Sequence, residues 1–347
     1  MSKGSIIKSI QEFSIVIAAL STSNTATISA VTTSKSVVIF NGQNTNNTTA
    51  LSQNNAFGYL ALTNSTTVTA TRDSGLTNNL TVYGMVIEFA SDAVVSMQTG
   101  TIVLGSGVTS NTATISSVST SNAFVVYGGL LSTTSGSVTM RTALTAIDLT
   151  DATTVTAIRS LGTDSATVAY TVVELRPSII KSVQKVSVTS TAGTTTDDAT
   201  ISAVVLANTV TFGNGMITGV VAQRDSNMYR SYLTSTTNYR FERYGTSTTS
   251  RTMKATVIEF EPQYIAARNS YQVSVTTADT QVDTAVTMTN RGKVLVNFMG
   301  SMYNNATSTL SSAQVGALST STTNVRTIRD STNSIAADSA FSLIQFV

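Results

Sequence analysis

Apolar residues alternate with polar ones over short stretches along the chain, which is the pattern of half-buried β-strands. Near the N-terminus, Phe13, Ile15 and Ile17 fall on one face of a predicted strand. Ser, Thr, Asn and Gly separate the runs, as is typical of turns. Five more strands are predicted in the same region, over residues 25–31, 36–40, 56–62, 66–72 and 80–89, and the Asn-rich segment 41–55 is predicted to be a surface loop.

This six-strand pattern returns three times, so the chain is a tandem repeat. The phrase Ser-Ile-Ile-Lys-Ser-Ile-Gln at residues 5–11 recurs as Ser-Ile-Ile-Lys-Ser-Val-Gln at 178–184, and weaker copies contain Gln98 and Gln272. A period of about 87 residues is too long for a helical solenoid and predicts four small domains in a row, each with its own core. The fold class is therefore all-β, with four β-sandwich or barrel-like repeats of similar topology.

We place repeats 1 to 4 at residues 1–90, 91–176, 177–262 and 263–347. Both prolines of the chain, Pro177 and Pro262, fall at these boundaries. A proline there removes no hydrogen bond from a sheet, and it stiffens the connection between repeats.

Composition narrows the possible chemistry. The chain contains no cysteine and no histidine, which excludes disulfides, cysteine nucleophiles and every triad that uses histidine as its base. The net charge of +2 gives no electrostatic basis for binding duplex nucleic acid. We expect no cofactor, no metal site and no nucleic-acid partner.

An apolar segment at residues 13–20 follows two lysines and superficially resembles a signal peptide. It is too short to span a bilayer, and its counterparts in later repeats are ordinary strands. We therefore expect a protein that is assembled in a cytoplasm, without a membrane partner.

Arginine and glutamate recur at fixed places in the repeats, but a catalytic pair would seldom be built four times. The arginine ends one predicted strand, whereas the glutamate ends the next strand at its far side, so direct pairing is not expected. The sequence predicts a structural role for both sets and no catalytic residue. The sets are Arg72, Arg159, Arg243 and Arg329, and Glu88, Glu174 and Glu259 with Gln345 in repeat 4.

One stretch of repeat 3 departs from the pattern by concentrating tyrosine and arginine. These residue types are enriched at binding hot spots, because they bury a large area and keep a polar group. The alternatives are solvated strand faces and, less favoured, a platform for sugars. The candidate contact residues, named the Tyr/Arg patch, are Arg224, Tyr229, Arg230, Tyr232, Tyr239, Arg240 and Tyr244.

Four motifs together resemble repeats in structural proteins of tailed-bacteriophage virions. They are the Ser-Val/Ile-Gln opening strand, Thr-Ala-Thr-Ile-Ser-x-Val, Thr-Thr-Val-Thr-Ala-x-Arg and the closing Val-Ile-Glu-Phe, and repeat 4 departs from them most. The resemblance implies a non-enzymatic virion protein on the head or the tail, assembled in the host cytoplasm. It implies contacts with major capsid or tail proteins and several copies, or a homo-oligomer, in each particle. The alternatives are a fibre that binds a receptor or a host glycan and, third, a free enzyme.

Overall fold

The computed structural model describes residues 5–46, 56–73, 77–133, 140–190, 193–219, 228–246, 250–303, 314–330 and 336–347. The predicted all-β architecture is confirmed. The single α-helix within these ranges, α1, is one turn long at Met140–Ala143, and short 3₁₀ turns lie at Thr33–Lys35, Leu206–Asn208, Pro262–Tyr264 and Arg291–Lys293. No helix of the described ranges is long and apolar enough to cross a membrane.

Each repeat contributes six strands. Repeat 1 has β1 (Ile7–Ile17), β2 (Ser23–Thr27), β3 (Ser36–Thr45), β4 (Gly58–Asn64), β5 (Thr67–Arg72) and β6 (Leu80–Phe89). Repeat 2 has β7 (Val94–Leu104), β8 (Ser110–Thr114), β9 (Ala123–Ser132), β10 (Thr145–Leu149), β11 (Thr154–Arg159) and β12 (Ala166–Leu175). Repeat 3 has β13 (Ile180–Ser190), β14 (Thr196–Thr200), β15 (Thr209–Thr218), β16 (Arg230–Leu233), β17 (Asn238–Glu242) and β18 (Arg251–Phe260). Repeat 4 has β19 (Ile265–Val275), β20 (Gln281–Ala285), β21 (Val294–Tyr303), β22 (Gly316–Ser319), β23 (Asn324–Ile328) and β24 (Ala337–Phe346).

Every repeat folds into two antiparallel three-stranded layers. In repeat 1 the strand orders are β1-β6-β3 and β2-β5-β4, and the other repeats keep the same orders. Ile15, Val68 and Leu80 are buried between the layers of repeat 1. The alternation read from the sequence thus places apolar residues between two layers, as in a sandwich.

The repeats form a closed ring, which corrects the expectation of four domains in a row. Strand β4 pairs with β9, β10 with β15, β16 with β21, and β22 with β3, so each six-stranded sheet combines strands of two repeats. The pairing of β22 with β3 joins repeat 4 to repeat 1. The four sheets have a propeller-like, four-bladed arrangement.

The largest apolar core belongs to all four repeats, contrary to the expectation of four separate cores. Ile39, Phe124, Phe212 and Leu295 each come from a different repeat and are buried in this one cluster. The rings of Phe124 and Phe212 stack across the boundary of repeats 2 and 3 with centroids 5.9 Å apart. Repeats 1, 2 and 3 also keep local clusters in their sandwiches.

A glycine makes each junction between repeats possible. These bridging glycines have φ between +89° and +101°, a region that L side chains rarely adopt. A Cβ at any of them would lie less than 3.0 Å from a backbone oxygen of the adjoining repeat, so only glycine lets the two chains approach. They are Gly42, Gly129, Gly215 and Gly300.

Strand β3 extends into the segment that the sequence analysis placed in a loop. Asn41 donates to the carbonyl of Val296 at 2.8 Å, and Asn44 donates to the hydroxyl of Tyr83 at 2.9 Å. These side-chain amides are buried and bond to other strands. Because Asn residues are also typical of solvated loops, the sequence pattern predicted a loop here. Residues 47–55 of the predicted loop lie outside the described ranges.

Ring closure adds polar contacts between repeats 4 and 1. The Glu12 carboxylate accepts hydrogen bonds from the Ser319 amide and hydroxyl, each at 2.7 Å, and Arg291 lies 3.5 Å from it. Lys293 donates to the Ser5 hydroxyl at 2.9 Å. The N-terminal and C-terminal repeats therefore hold each other by side chains as well as by the sheet.

Candidate functional site

The recurring arginines bind the backbone of their own repeats. Arg72 is 1% exposed and donates to the carbonyls of Ala18, Ser21 and Asn78 at 2.6–2.9 Å. Ala18 and Ser21 lie in the loop between β1 and β2, and Asn78 lies in the loop between β5 and β6, so one guanidinium ties these two loops to the end of β5. The structural role predicted for this set is confirmed, and its members, the strand-end arginines, are Arg72, Arg159, Arg243 and Arg329.

The recurring glutamates accept hydrogen bonds from a backbone amide in the turn before the third strand. Glu88 accepts from the Thr32 amide at 2.9 Å and pairs with Lys8 at 2.9 Å. Burial alone would raise the pKa of Glu88, but the bonds from Lys8 and Thr32 outweigh it, and the pKa is lowered. Gln345 accepts the equivalent bond from the Thr289 amide at 3.2 Å. Glutamine can replace glutamate in repeat 4 because a neutral carbonyl oxygen also serves as the acceptor.

The glutamines of the recurring opening phrase, predicted to mark each repeat as Gln11, Gln98, Gln184 and Gln272, connect the opening strand to the turn that follows the second strand in repeats 1 to 3. Gln11 bonds both the amide and the carbonyl of Ser29, at 2.7 and 3.1 Å, and Gln98 and Gln184 repeat this bidentate contact. The fourth marker was misplaced. Strand pairing puts Asn269, not Gln272, at the position of Gln11.

Part of the Tyr/Arg patch lies inside repeat 3. Tyr239 is fully buried, and its hydroxyl donates to the Ser231 hydroxyl at 2.9 Å. Tyr229 packs on Phe241 with ring centroids 5.8 Å apart and faces the axis of the ring. Burial raises the pKa of both tyrosines, that of Tyr239 to about 12. Arg224 lies outside the described ranges.

Three other members form a polar cluster near the junction of repeats 3 and 4. Arg230 is 8% exposed and pairs with Glu242 at 2.9 Å, while its guanidinium lies 5.7 Å from the ring centre of Tyr232. The Tyr232 hydroxyl donates to the same carboxylate at 3.0 Å. Tyr244 donates to Asp338 of repeat 4, and burial, followed by this bond, raises its pKa to about 12. These side chains therefore have partners within the chain.

Arg240, the last member, lies on the outer face of the β14–β17 pair. It forms a bidentate pair with Asp198 at 2.8 and 2.9 Å, and both side chains are partly exposed. Arg326 and Asp283 make the same pair in repeat 4. At the corresponding cross-strand position, repeat 1 has threonines 25 and 69, and repeat 2 has threonines 112 and 156. Arg240 is thus one member of a repeated outer-face position.

A cavity of about 180 Å³ lies on the axis of the ring, lined by residues of all four repeats. Apart from Tyr229, its lining residues are not among the candidates predicted from the sequence. Three sets of equivalent residues line most of the wall: Phe40, Tyr127, Gly213 and Phe298; Phe57, Leu144, Met228 and Gln314; and Gly58, Thr145, Tyr229 and Val315. One sequence signal could have indicated the cavity. The residue types at these equivalent positions differ from repeat to repeat, whereas the motifs of the surrounding strands are repeated.

Within the described ranges, no group of three or more acidic side chains is placed to hold a metal ion. A comparison with protein-family models gives no match to this chain. A comparison with curated proteins gives no match either.

Proposed function

We propose that this chain is a non-enzymatic structural protein of a tailed-bacteriophage particle, which decorates or reinforces the particle surface. The observation that supports this proposal best is the use of the repeated polar residues. The strand-end arginines and the glutamates after them form hydrogen bonds with the chain's own backbone. These bonds stabilise the fold, and they suit a structural protein better than a reaction centre.

The architecture suits such a role. Because β22 pairs with β3, the ring is closed by one chain and is preformed before any partner arrives. Each sheet ends in a polar five-residue strand at one edge and an eleven-residue strand at the other. In repeat 1 these two kinds of edge are tied together, because Asn24 of β2 donates to the Val16 carbonyl of β1 at 2.7 Å. Asn111 makes the same bond to Val103 in repeat 2 at 2.8 Å. Such edges resist pairing with other chains, which a protein displayed in many copies requires.

The proposed partners are major capsid or tail proteins, contacted through the faces of the ring that vary between repeats. Imaging of purified particles with an antibody against this chain tests the proposal. Regular labelling over the head supports decoration, and labelling on the tail supports a tail-associated form. Particles that carry no label, from a lysate in which the antibody detects the free chain, would overturn the proposal.

The non-enzymatic part has its own test. We expect no release of reducing ends when the purified protein is incubated with host surface polysaccharide. Release that disappears on substitution of one Asp or Glu, while the protein still melts at the wild-type temperature, would show that a catalytic site exists.

A fibre that binds a host glycan is the second candidate, because Tyr232 is half-exposed beside two arginines. Tyrosine faces stack on sugar rings, and arginine donates to their hydroxyls. The test is glycan binding by Tyr232→Ala, with Leu318→Ala as the matched control, since Leu318 holds the equivalent half-buried position in repeat 4. Binding lost only in Tyr232→Ala would favour this candidate, and equal binding by both variants would remove it.

A further inference from the structure

The axial cavity has the composition of a small-molecule site. Its wall carries the rings of Phe40, Tyr127 and Phe298 from three repeats and the ring of Tyr229 from the fourth. Among the described residues that line it, none is Asp, Glu, Lys or Arg. A charged ligand would be buried without a counter-charge, which is costly, so the wall selects a neutral and mainly apolar molecule.

Two side-chain oxygens in this wall are buried without a hydrogen-bond partner among the described residues, the Thr145 hydroxyl and the amide oxygen of Gln314, and the amide oxygen can only accept. Gln314 is 3% exposed, and its Nε2 donates to the Ala56 carbonyl at 2.7 Å. Its Oε1 is buried and accepts no hydrogen bond from any described residue. Since Ala56 offers an acceptor, the bond from Nε2 fixes the amide orientation and leaves Oε1 as the free acceptor.

This glutamine breaks an apolar set. The equivalent residues of the other repeats are Phe57, Leu144 and Met228, which also line the cavity. A buried amide oxygen without a partner costs about 1–3 kcal/mol, so it calls for an explanation beyond packing. A ligand that donates one hydrogen bond would remove this cost.

We propose that the axial cavity binds a neutral, single-ring aromatic molecule with one hydroxyl or N–H donor, of the phenol class, and that Gln314 Oε1 accepts a hydrogen bond from this donor. The volume supports this size, because an engineered apolar cavity of about 150 Å³ in another protein binds benzene. The site is about 180 Å³ and leaves room for one polar substituent on the ring. This proposal is independent of the virion role.

Methionine methyl groups locate the binding in solution. Met216, Met228 and Met299 line the cavity, whereas Met85 and Met288 are buried in the cluster shared by all four repeats and are not among its lining residues. In spectra of the full chain with ¹³C-methyl methionine, titration with phenol should shift the first three signals and leave the other two in place. Shifts of all five together, or of none up to the solubility limit of phenol, would overturn the proposal.

The polar anchor is tested by comparing phenol with benzene in the same titration. A hydrogen bond to a neutral acceptor predicts that phenol binds about 5- to 10-fold more tightly than benzene. Equal affinity of the wild-type protein for the two molecules would overturn the role of Gln314, without any variant being needed.

Two variants at position 314 then distinguish the loss of the hydrogen-bond acceptor from the loss of cavity volume. Gln314→Met copies repeat 3, and it should bind both molecules with the affinity that the wild-type protein has for benzene. Gln314→Phe copies repeat 1, and its ring should fill part of the cavity and weaken binding of both by about tenfold or more. Melting temperatures check that each variant folds, and Leu144→Phe serves as a second filling variant. Retained phenol preference in Gln314→Met would overturn the assignment.

Discussion

The end of the fifth strand and the axis of the ring differ in how they use the sequence repeat. At the strand end, Arg72, Arg159, Arg243 and Arg329 make similar bonds in every repeat. At the axis, the equivalent residues of the third strands are Phe40, Tyr127, Gly213 and Phe298. The same residue can recur in every repeat where its contacts all lie within that repeat, as they do for these arginines. On the axis, side chains from all four repeats share one space and cannot all be large.

Repeat 3 shows how size is redistributed at the axis. Gly213 leaves open space, and the nearest atom to a Cβ built on it is the hydroxyl of Tyr229, at 4.0 Å. Tyr229 in turn occupies a position where repeat 1 has Gly58. One large and one small residue have exchanged places within the repeat. Part of the unusual tyrosine content of repeat 3 therefore follows from packing along the axis.

Gly215→Ala should produce the largest loss, because the bridging glycine is required both by its φ of +89° and by the approach of the Thr145 backbone. We expect more than about 3 kcal/mol of lost stability, with the junction of repeats 2 and 3 weakened. Urea unfolding of the full chain measures the effect.

Variants of two other glycines distinguish the effect of a positive φ from the effect of close backbone approach. Gly193 has φ of +87° with no atom near its Cβ position, so Gly193→Ala should cost only about 1–2 kcal/mol. Gly213 has room and no positive φ, so Gly213→Ala should be neutral or stabilising by about 0.4–1 kcal/mol. Equal losses in Gly215→Ala and Gly193→Ala would show that close approach of the repeats does not limit this position.

Arg72→Met should have the next largest effect. The variant keeps the length of the side chain and removes the donors to three carbonyls, at a cost of about 3 kcal/mol. Arg72→Lys should recover only part of this loss, because an ammonium group cannot reproduce the planar array of donors. Thermal melting and urea unfolding measure both variants, and full recovery in the lysine variant would argue against a role for guanidinium geometry.

Local pattern was enough to predict the framework. Alternation gave six strands per repeat, and the two prolines at the predicted repeat boundaries, Pro177 and Pro262, lie outside the strands, after β12 and β18. The recurrence of Arg72 and Glu88 predicted a structural role, and both residues form hydrogen bonds with the backbone of their own repeat.

Pairing between repeats could not be predicted in the same way. Whether β4 pairs with β9 depends on how the whole chain folds, and the sequence of residues 58–64 does not specify which strand will be its neighbour. The fourth marker failed because Gln272 was matched by residue type, whereas its strand register identifies Asn269. The cavity was missed because it depends on four distant sequence positions that meet only in the closed ring.

Glu88 tests whether the framework requires a charge or only an acceptor. Glu88→Gln copies Gln345 of repeat 4 and should cost about 1 kcal/mol or less at neutral pH, whereas Glu88→Leu should cost about 2 kcal/mol because the Thr32 amide loses its partner. Chemical unfolding at pH 7 measures both. Equal losses would mean that the negative charge, and not the acceptor, matters here.

The pH dependence has a defined sign. The pKa of Glu88 is lowered in the folded protein, so its ionised form contributes stability above the unfolded value of about 4.5, and this contribution is lost as pH falls below it. The advantage of the wild-type protein over Glu88→Gln should therefore be full well above pH 4.5 and shrink as the pH falls from there through the lowered folded-state pKa. An advantage that grows on acidification would contradict the assignment.

The smallest effect is expected on the outer face, where repeats 3 and 4 have an Asp–Arg pair and repeats 1 and 2 have two threonines. The double variant Asp198→Thr/Arg240→Thr gives repeat 3 the pair of repeat 2 and should change stability by no more than about 0.5 kcal/mol, because exposed ion pairs contribute little and cross-strand threonines also interact. Together with the two single variants it forms a double-mutant cycle, from which we expect a coupling of about 0.3–1 kcal/mol that decreases in 1 M salt. A coupling above about 2 kcal/mol, insensitive to salt, would place this pair with the strand-end arginines instead of among the exchangeable surface positions.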